Sequence, residues 1–283
     1  MRKKMFIVLD TETANSVAHP LPYDFGWVVV DKYGNIYKTY SFVIYEIYCG
    51  QRDMMKSAYY AEKLPQYEKD IKSGKRKIVS IWTARKIFIE CMKEFNVDTI
   101  YAYNMGFDKR ALNNDIKFVS SWMKWFFPKD TNFKCIWHMA CSSILNRTSY
   151  IKFAEKNNFI TAKGNILTNA EVCYKYITKN VDFEESHTGL EDTLIESAIL
   201  AYCFRQHKKF DDSVNSACWR KVQKKRQDSR SPLLDKGVPL SGPRKKCLTF
   251  FLKYDNITIE KERRKKHENL LRHGRNNRQS LRS

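Results

Sequence analysis

Apolar and polar positions alternate in short blocks along the chain. Phe6 to Leu9 is an apolar run that stops at Asp10, and it predicts a short buried strand. In DFGWVVVDKYGNIYKTYSFVIY, two β-rich runs flank Lys32-Tyr33-Gly34-Asn35, the pattern of an antiparallel hairpin. A Tyr- and Lys-rich stretch over residues 52–72 reads as helix broken at Pro65, and a loop follows at residues 73–77. Ala84, Ile87, Phe88, Cys91 and Phe95 recur near helical spacing, so residues 81–95 predict an amphipathic helix. Residues 98–103 read as a second buried strand, 107–113 as the start of a short helix, and 132–145 as a strand end passing into a helix. Two T-x-x-E spacings mark helix starts of the capping-box kind. One is Thr168 with Glu171, before a helix to about Ile177; the other is Thr188 with Glu191, before a helix from Leu190 to about Phe204.

This order predicts an α/β fold: a mixed sheet with an antiparallel hairpin on one side, flanked by helices. Internal repeats are absent. A composition that is 43% hydrophobic and 14% aromatic supports a packed core. Apolar runs fall far short of the ~20 residues a membrane span needs. The apolar run after the basic start is also too short for a signal-peptide core, so the expectation is a cytoplasmic protein. The 8 Cys form no C-x-x-C pair and no framework, which fits a reducing compartment. Cys135-x2-His138-x2-Cys141 has spacing that zinc could use, but it suits a helix face equally and lacks an evident fourth ligand.

Charge divides the chain. The net charge is +20, and residues 208–283 carry 22 Lys+Arg against 8 Asp+Glu, a net of +14. We therefore expect one domain over 1–207 and a basic, partly disordered C-terminal extension over 208–283, with a short hairpin conceivable around LTFFLKYDNITI. Basic excess points to phosphate-rich partners, although a solubilising surface has the same composition.

Three small constellations carry candidate chemistry. In FIVLDTET, Asp10 and Glu12 share one face of a strand and Thr11 the other. Adjacent carboxylates at the end of an apolar strand suit a hard cation, though strands also end in polar residues for no further reason. In IYAYNMGFDKRAL, Asp108 follows a turn at Gly106 and falls in the first turn of a helix. There it complements the helix dipole, and it also faces the crevice beyond the strand end. In HTGLED, His187 precedes a helix whose first turn holds Asp192, so the two can face one cleft.

Taken together, Asp10-x-Glu12, Asn104-x3-Asp108 and His187-x4-Asp192 resemble the three exonuclease motifs of the DEDDh family. That family lies in the ribonuclease H-like superfamily and includes the proofreading subunit of bacterial DNA polymerase III. The resemblance covers roughly residues 4–207. The chain is also similar to exonuclease-like proteins of phages and prophages. The sister class with Tyr in place of the His is not matched, since position 188 is Thr. Residues 46–77 and 157–169 depart from the polymerase subunit, which puts transfer of its partner contacts in doubt.

The resemblance implies a ribonuclease H-like mixed five-stranded sheet and 3′–5′ exonuclease activity on DNA, in replication proofreading or DNA processing. RNA cleavage and non-catalytic nucleic-acid binding are the alternatives. It implies two Mg²⁺ or Mn²⁺ ions held by Asp10, Glu12, Asp108 and Asp192, with His187 as general base. It implies that single-stranded or 3′-terminal DNA is the partner, with Thr11 and Thr13 holding the terminal nucleotide. Phe107, Tyr23 and Trp27 are candidates for base stacking, each equally suited to a core. Lys109 and Arg110, and less so Lys75, Arg76 and Lys77, are candidates for phosphate contacts. CLTFFL (residues 247–252) faintly resembles the peptides with which replication proteins grip sliding clamps, with Cys247 where Gln is expected.

Overall fold

The protein is described from a computed structural model, which covers residues 3–56, 58, 60–214 and 217–230. In chain order the elements are β1 (Met5–Ala14), β2 (Leu21–Asp31), β3 (Ile36–Ile44), α1 (Tyr45–Tyr48), α2 (Arg52–Lys56), a 3₁₀ turn (Ala61–Lys63), α3 (Leu64–Lys72), β4 (Lys77–Val79), α4 (Ile81–Glu94), β5 (Thr99–Ala102) and α5 (Met105–Val119). There follow β6 (Asn132–Cys135), α6 (Ile136–Ser143), α7 (Thr148–Lys156), α8 (Ala170–Thr178), α9 (Gly189–Arg205) and α10 (Trp219–Arg230).

The sheet has the order β4-β3-β2-β1-β5-β6. β1, β2 and β3 run antiparallel, while β5 pairs parallel with β1 and β6 parallel with β5. This is the expected mixed sheet with an antiparallel hairpin on one side, with one short strand more than the five expected. β4 adds to the β3 edge in parallel and is too brief to show in the sequence pattern.

The pleat of β1 divides the interior. Phe6 and Val8 face one side with Ile195 and Ile199 of α9. Ile7 and Leu9 face the other with Phe88 of α4 and Leu112 and Ile116 of α5. Asp10 follows Val8 in this alternation and so lies on the α9 side. Tyr23 and Trp27 are fully buried, which removes both from the candidates for base stacking. Their size and β-propensity placed them in the core instead.

Several boundaries differ from expectation. Pro65 opens α3 rather than breaking a helix, since proline fits the first turn. α8 starts at Ala170 with Asn169 as its cap residue, and the Thr168 hydroxyl accepts from Trp137 Nε1 instead. At α9, the Thr188 hydroxyl donates to the Glu191 carboxylate (2.7 Å), so the capping spacing is present without its backbone bond. Cys135 to Cys141 lies on α6 and the residue before it, where His138 meets Asp211 (3.2 Å) rather than a cysteine cage.

Packing continues past the expected boundary at 207, because α10 (Trp219–Arg230) lies against α6 and α7. α10 buries Val222, and Gln223 exchanges two hydrogen bonds with the backbone of Ile166. Arg226 pairs with Glu155 (2.8 Å). The basic run Lys224 to Arg226 is therefore split between the faces of a packed helix, with Lys224 and Lys225 exposed and Arg226 buried. The segments LTFFLKYDNITI and CLTFFL lie outside the described residues. No helix among the described residues is long and apolar enough to cross a membrane.

Candidate active site

Four elements converge at the carboxyl end of β1. The strand brings Asp10 and Glu12 there, and its register with β2 breaks between Glu12 and Thr13. β5 leads through Tyr103 and Asn104 into α5, whose first turn holds Asp108. The start of α9 brings His187 and Asp192. Glycine makes the last approach feasible. A Cβ on Gly26, which pairs with Asp10 across the sheet, would lie 2.4 Å from backbone atoms of Gly189 and Leu190. The two backbones touch at this point, and no side chain fits between them.

Ligand atoms of Glu12, His187 and Asp192 all lie within 4.8 Å of one another. Asp10 and Asp108 belong to no such tight trio among the described residues, but they couple to it through their charge. Thr11 does reach to the other side, where its hydroxyl donates to Asp108 Oδ1 (2.8 Å). Thr13 is half-buried just past the register break. Phe107 is half-buried with the Arg110 guanidinium over its ring (5.6 Å). Lys109 lies 4.0 Å from the centre of the Phe133 ring.

The electrostatics follow from crowding acids in a poorly solvated space. Burial, then Glu196, Asp108, Glu12 and Asp192, push the Asp10 carboxyl well above its usual range. Burial and then Asp192 do the same to Glu12. Asp108 is pushed up to about 7 by burial, against the Thr11 hydrogen bond. Asp192 is pushed up to about 8 by burial and then Glu185. Among the described residues none of these four forms a salt bridge. Four acid groups without a cation are a donor set for hard divalent ions.

Two further acids escaped the sequence reading. Glu196 is buried one helical turn beyond Asp192, accepts from the Tyr103 amide (3.0 Å) and is the strongest charged neighbour of Asp10. The i,i+4 spacing from Asp192 signals it, because residues four apart share a helix face. Glu185 is pushed up to about 7 by burial and then by Glu171, and those two form a second close group with His187.

His187 is fixed in an unusual way. Its backbone has φ of +54°, in the left-handed region that side chains other than Gly rarely adopt. Its ring stacks on Tyr60, with centroids 4.2 Å apart and planes 12° from parallel. Burial first, and then Lys63, lowers its pKa against the opposing pull of Glu171 and Glu62.

A buried ion network holds the start of α9 against the sheet. The Gly189 amide donates to Asp24 Oδ2 (2.9 Å), as does Tyr67 (2.6 Å). Arg76 bridges Asp24, Asp70 and Glu191 with contacts of 3.2, 3.1 and 2.7 Å. Burial opposes ionisation of Glu191, yet Thr188, Arg76 and Lys75 hold it down to about 2. Arg76 is thus sealed in place and Lys75 is paired with Glu191, whereas Lys77, at the start of β4, is exposed and forms no salt bridge among the described residues.

No protein family and no curated protein matches the chain. Among solved structures, it is similar to E. coli exonuclease I in complex with a dT13 oligonucleotide, at 14% identity over 71% of this chain and 41% of that one, with a TM-score of 0.42. It is similar to the cell-death related nuclease CRN-4 at 10% identity, over 81% of this chain and 77% of that one, with a TM-score of 0.43. The chain therefore spans about two fifths of the length of exonuclease I.

Proposed function

We propose that this protein is a metal-dependent 3′–5′ exonuclease that releases nucleoside 5′-monophosphates from single-stranded or 3′-terminal DNA. The observation that carries this reading is the meeting of Glu12, His187 and Asp192 within 4.8 Å, beside the uncompensated charge of Asp10 and Asp108. Such an activity would serve replication proofreading or other DNA processing. Asp10, Glu12, Asp108 and Asp192 are the residues that would hold two Mg²⁺ or Mn²⁺ ions. Bound there, the ions would stabilise charge on the transferring phosphoryl group and make water more acidic.

The chain's own groups complete the chemistry. Burial favours the neutral imidazole of His187, the form able to accept a proton from the attacking water. Tyr60 holds the imidazole plane, and the Thr11 hydroxyl holds Asp108. Backbone around Thr11 and Thr13 would cradle the terminal nucleotide. Phe107, Lys109 and Arg110, at the start of α5, would meet the adjoining bases and phosphates.

The test uses end-labelled single-stranded DNA and RNA with purified protein in Mn²⁺ or EDTA. Mononucleotide release from 3′ ends, in Mn²⁺ only, is expected on DNA. Asp10→Ala and Asp192→Ala should abolish it, and His187→Ala should lower kcat by roughly 10²–10⁴. Full activity in both Asp variants would overturn the assignment, and degradation of RNA alone would reassign the substrate.

A further inference from the structure

The end of α5 and the segment after it read KFVSSWMKWFFPKD, with three Lys and one Asp between residues 117 and 130. Its paired phenylalanines are anchors. Phe126 is fully buried, its amide donates to Asn113 Oδ1 (2.8 Å) and its carbonyl accepts from Arg85 Nε (2.7 Å). Phe127 packs edge-on against Phe133. The Ser120 hydroxyl accepts from the Met123 amide (3.1 Å), which turns the chain tightly. Fixed at both ends, the loop holds its tryptophans outward. Trp122 is 76% exposed and Trp125 62%, with Phe118 at 47% beside them. The Trp122 ring lies within 7° of parallel to that of Trp82, with centroids 6.4 Å apart, and the Lys117 ammonium is 5.7 Å from the centre of the Trp125 ring.

Packing does not require two tryptophans to face water on an anchored loop. Their open π-faces suit flat ligands, and interleaved lysines suit phosphates. The core of a protein interface is depleted in lysine, whereas here lysines alternate with the aromatic rings. Paired bases hide their faces from such rings, so the matching polymer is single-stranded.

We infer that Trp122 and Trp125, with Lys117 and Lys124, form a stacking platform for single-stranded nucleic acid, separate from the carboxylate cluster. This rests on the exonuclease reading only for what the platform is for. Phe118 follows Asp108 by ten residues on α5, about 15 Å along the helix axis. At ~3.4 Å per nucleotide of a helical strand, that distance is roughly four to five nucleotides. The platform would therefore grip the strand upstream of the end being cut, and substrates shorter than this would not reach it.

The experiment measures binding of the full chain, in EDTA, to an oligothymidylate of about 16 nucleotides and to a dinucleotide. Tryptophan fluorescence and anisotropy are both read. The longer strand should quench the wild-type emission. Trp122→Ala and Trp125→Ala should each weaken its binding by about 5-fold or more, Trp→Phe should retain most of the affinity, and dinucleotide binding should be unaltered. Lys117→Gln should lower the salt slope by roughly one. Equal affinity of wild type and the double alanine variant for the long strand would overturn the platform, as would quenching that persists in the double phenylalanine variant. Because no cleavage occurs in EDTA, failure of the exonuclease reading leaves this result intact, and the reverse also holds.

Discussion

Replacing Arg76 by Met tests whether the start of α9 is held electrostatically. Only 2% of the Arg76 side chain is exposed. It gives hydrogen bonds to Asp24, Ser41, Asp70 and Glu191. The loss falls unequally on its partners. Asp70 keeps Gln66 Nε2 (2.6 Å) and Lys75 at 3.6 Å, and Glu191 keeps Lys75 at 3.0 Å and the Thr188 hydroxyl. Asp24 keeps only the neutral donors Tyr67 and Gly189, and its Oδ1 has no hydrogen-bond partner. A fully buried carboxylate would be left without a cation. Removing one member of a buried pair costs about 3–5 kcal/mol, and Asp24 should account for most of it. By contrast, breaking the exposed Lys56–Asp53 pair should leave the denaturation midpoint essentially unchanged, because water and salt screen it.

Urea denaturation of metal-free protein measures these losses. Adding Asp24→Asn to Arg76→Met should recover stability, since the stranded charge is then gone. The double-mutant cycle should show a coupling of at least about 1.5 kcal/mol. Because the network ends on Glu191, next to Asp192, folded Arg76→Met should also lose kcat more than it gains in KM. A loss below about 1 kcal/mol, or a cycle additive within about 0.5 kcal/mol, would refute the reasoning.

Other expectations follow from the same geometry. Gly26→Ala should destabilise by more than the ~1 kcal/mol typical of point mutants and suppress nuclease activity, because its Cβ would meet the Gly189 backbone at 2.4 Å; wild-type melting and activity would show that α9 is free to move. In EDTA, stability should fall as pH rises from about 4 to about 8, because folding raises the carboxyls of Asp108, Glu185 and Asp192 to about 7–8 and the folded state binds their protons more tightly. Mn²⁺ should reduce that fall, and melting temperatures across the range would check both statements. A chain ended at His207 should be less stable than one ended at Pro232 by several kcal/mol, because Val222 and the Arg226–Glu155 pair are removed; equal denaturation midpoints would show that α10 adds nothing.

Much of the sheet was legible because its causes are local. Phe6 to Leu9 and the Lys32–Asn35 turn announce their strands through an unbroken apolar run and turn chemistry alone. The misses have long-range causes. β4 is three residues whose pairing depends on a β3 edge far back in the chain. α10 reads as a charge run, since its few apolar positions are paired with a surface built by α6 and α7. Arg76 looked like a loop cation suited to phosphate, and nothing in its neighbourhood of sequence shows that Asp24 and Glu191 enclose it.

The candidate site divides along the same line. Spacing within one element brought Asp10 and Glu12 to one end of β1, and Asp192 to the first turn of α9. Spacing between elements was beyond reach, which is why Glu185 was missed; Glu196 stands four residues after Asp192 on the same helix, and its ordinary appearance hid a signal that the i,i+4 spacing does carry. Both are ordinary acids until the fold brings them against Asp192 and Asp10. The cluster that results is opposed to folding. Its acids repel one another in a poorly solvated space, and the strain at His187 adds to the cost. A chain that only had to be stable would replace one of them with an amide. Here the opposite bias is built in: the cation Arg76 pairs with Asp24 and Glu191 beside the cluster, and none of the described residues places a cation inside it. That division of charge ties down the start of α9 and leaves the inner carboxylates without a cation among the described residues, the state in which a divalent cation would contribute most to both folding and chemistry.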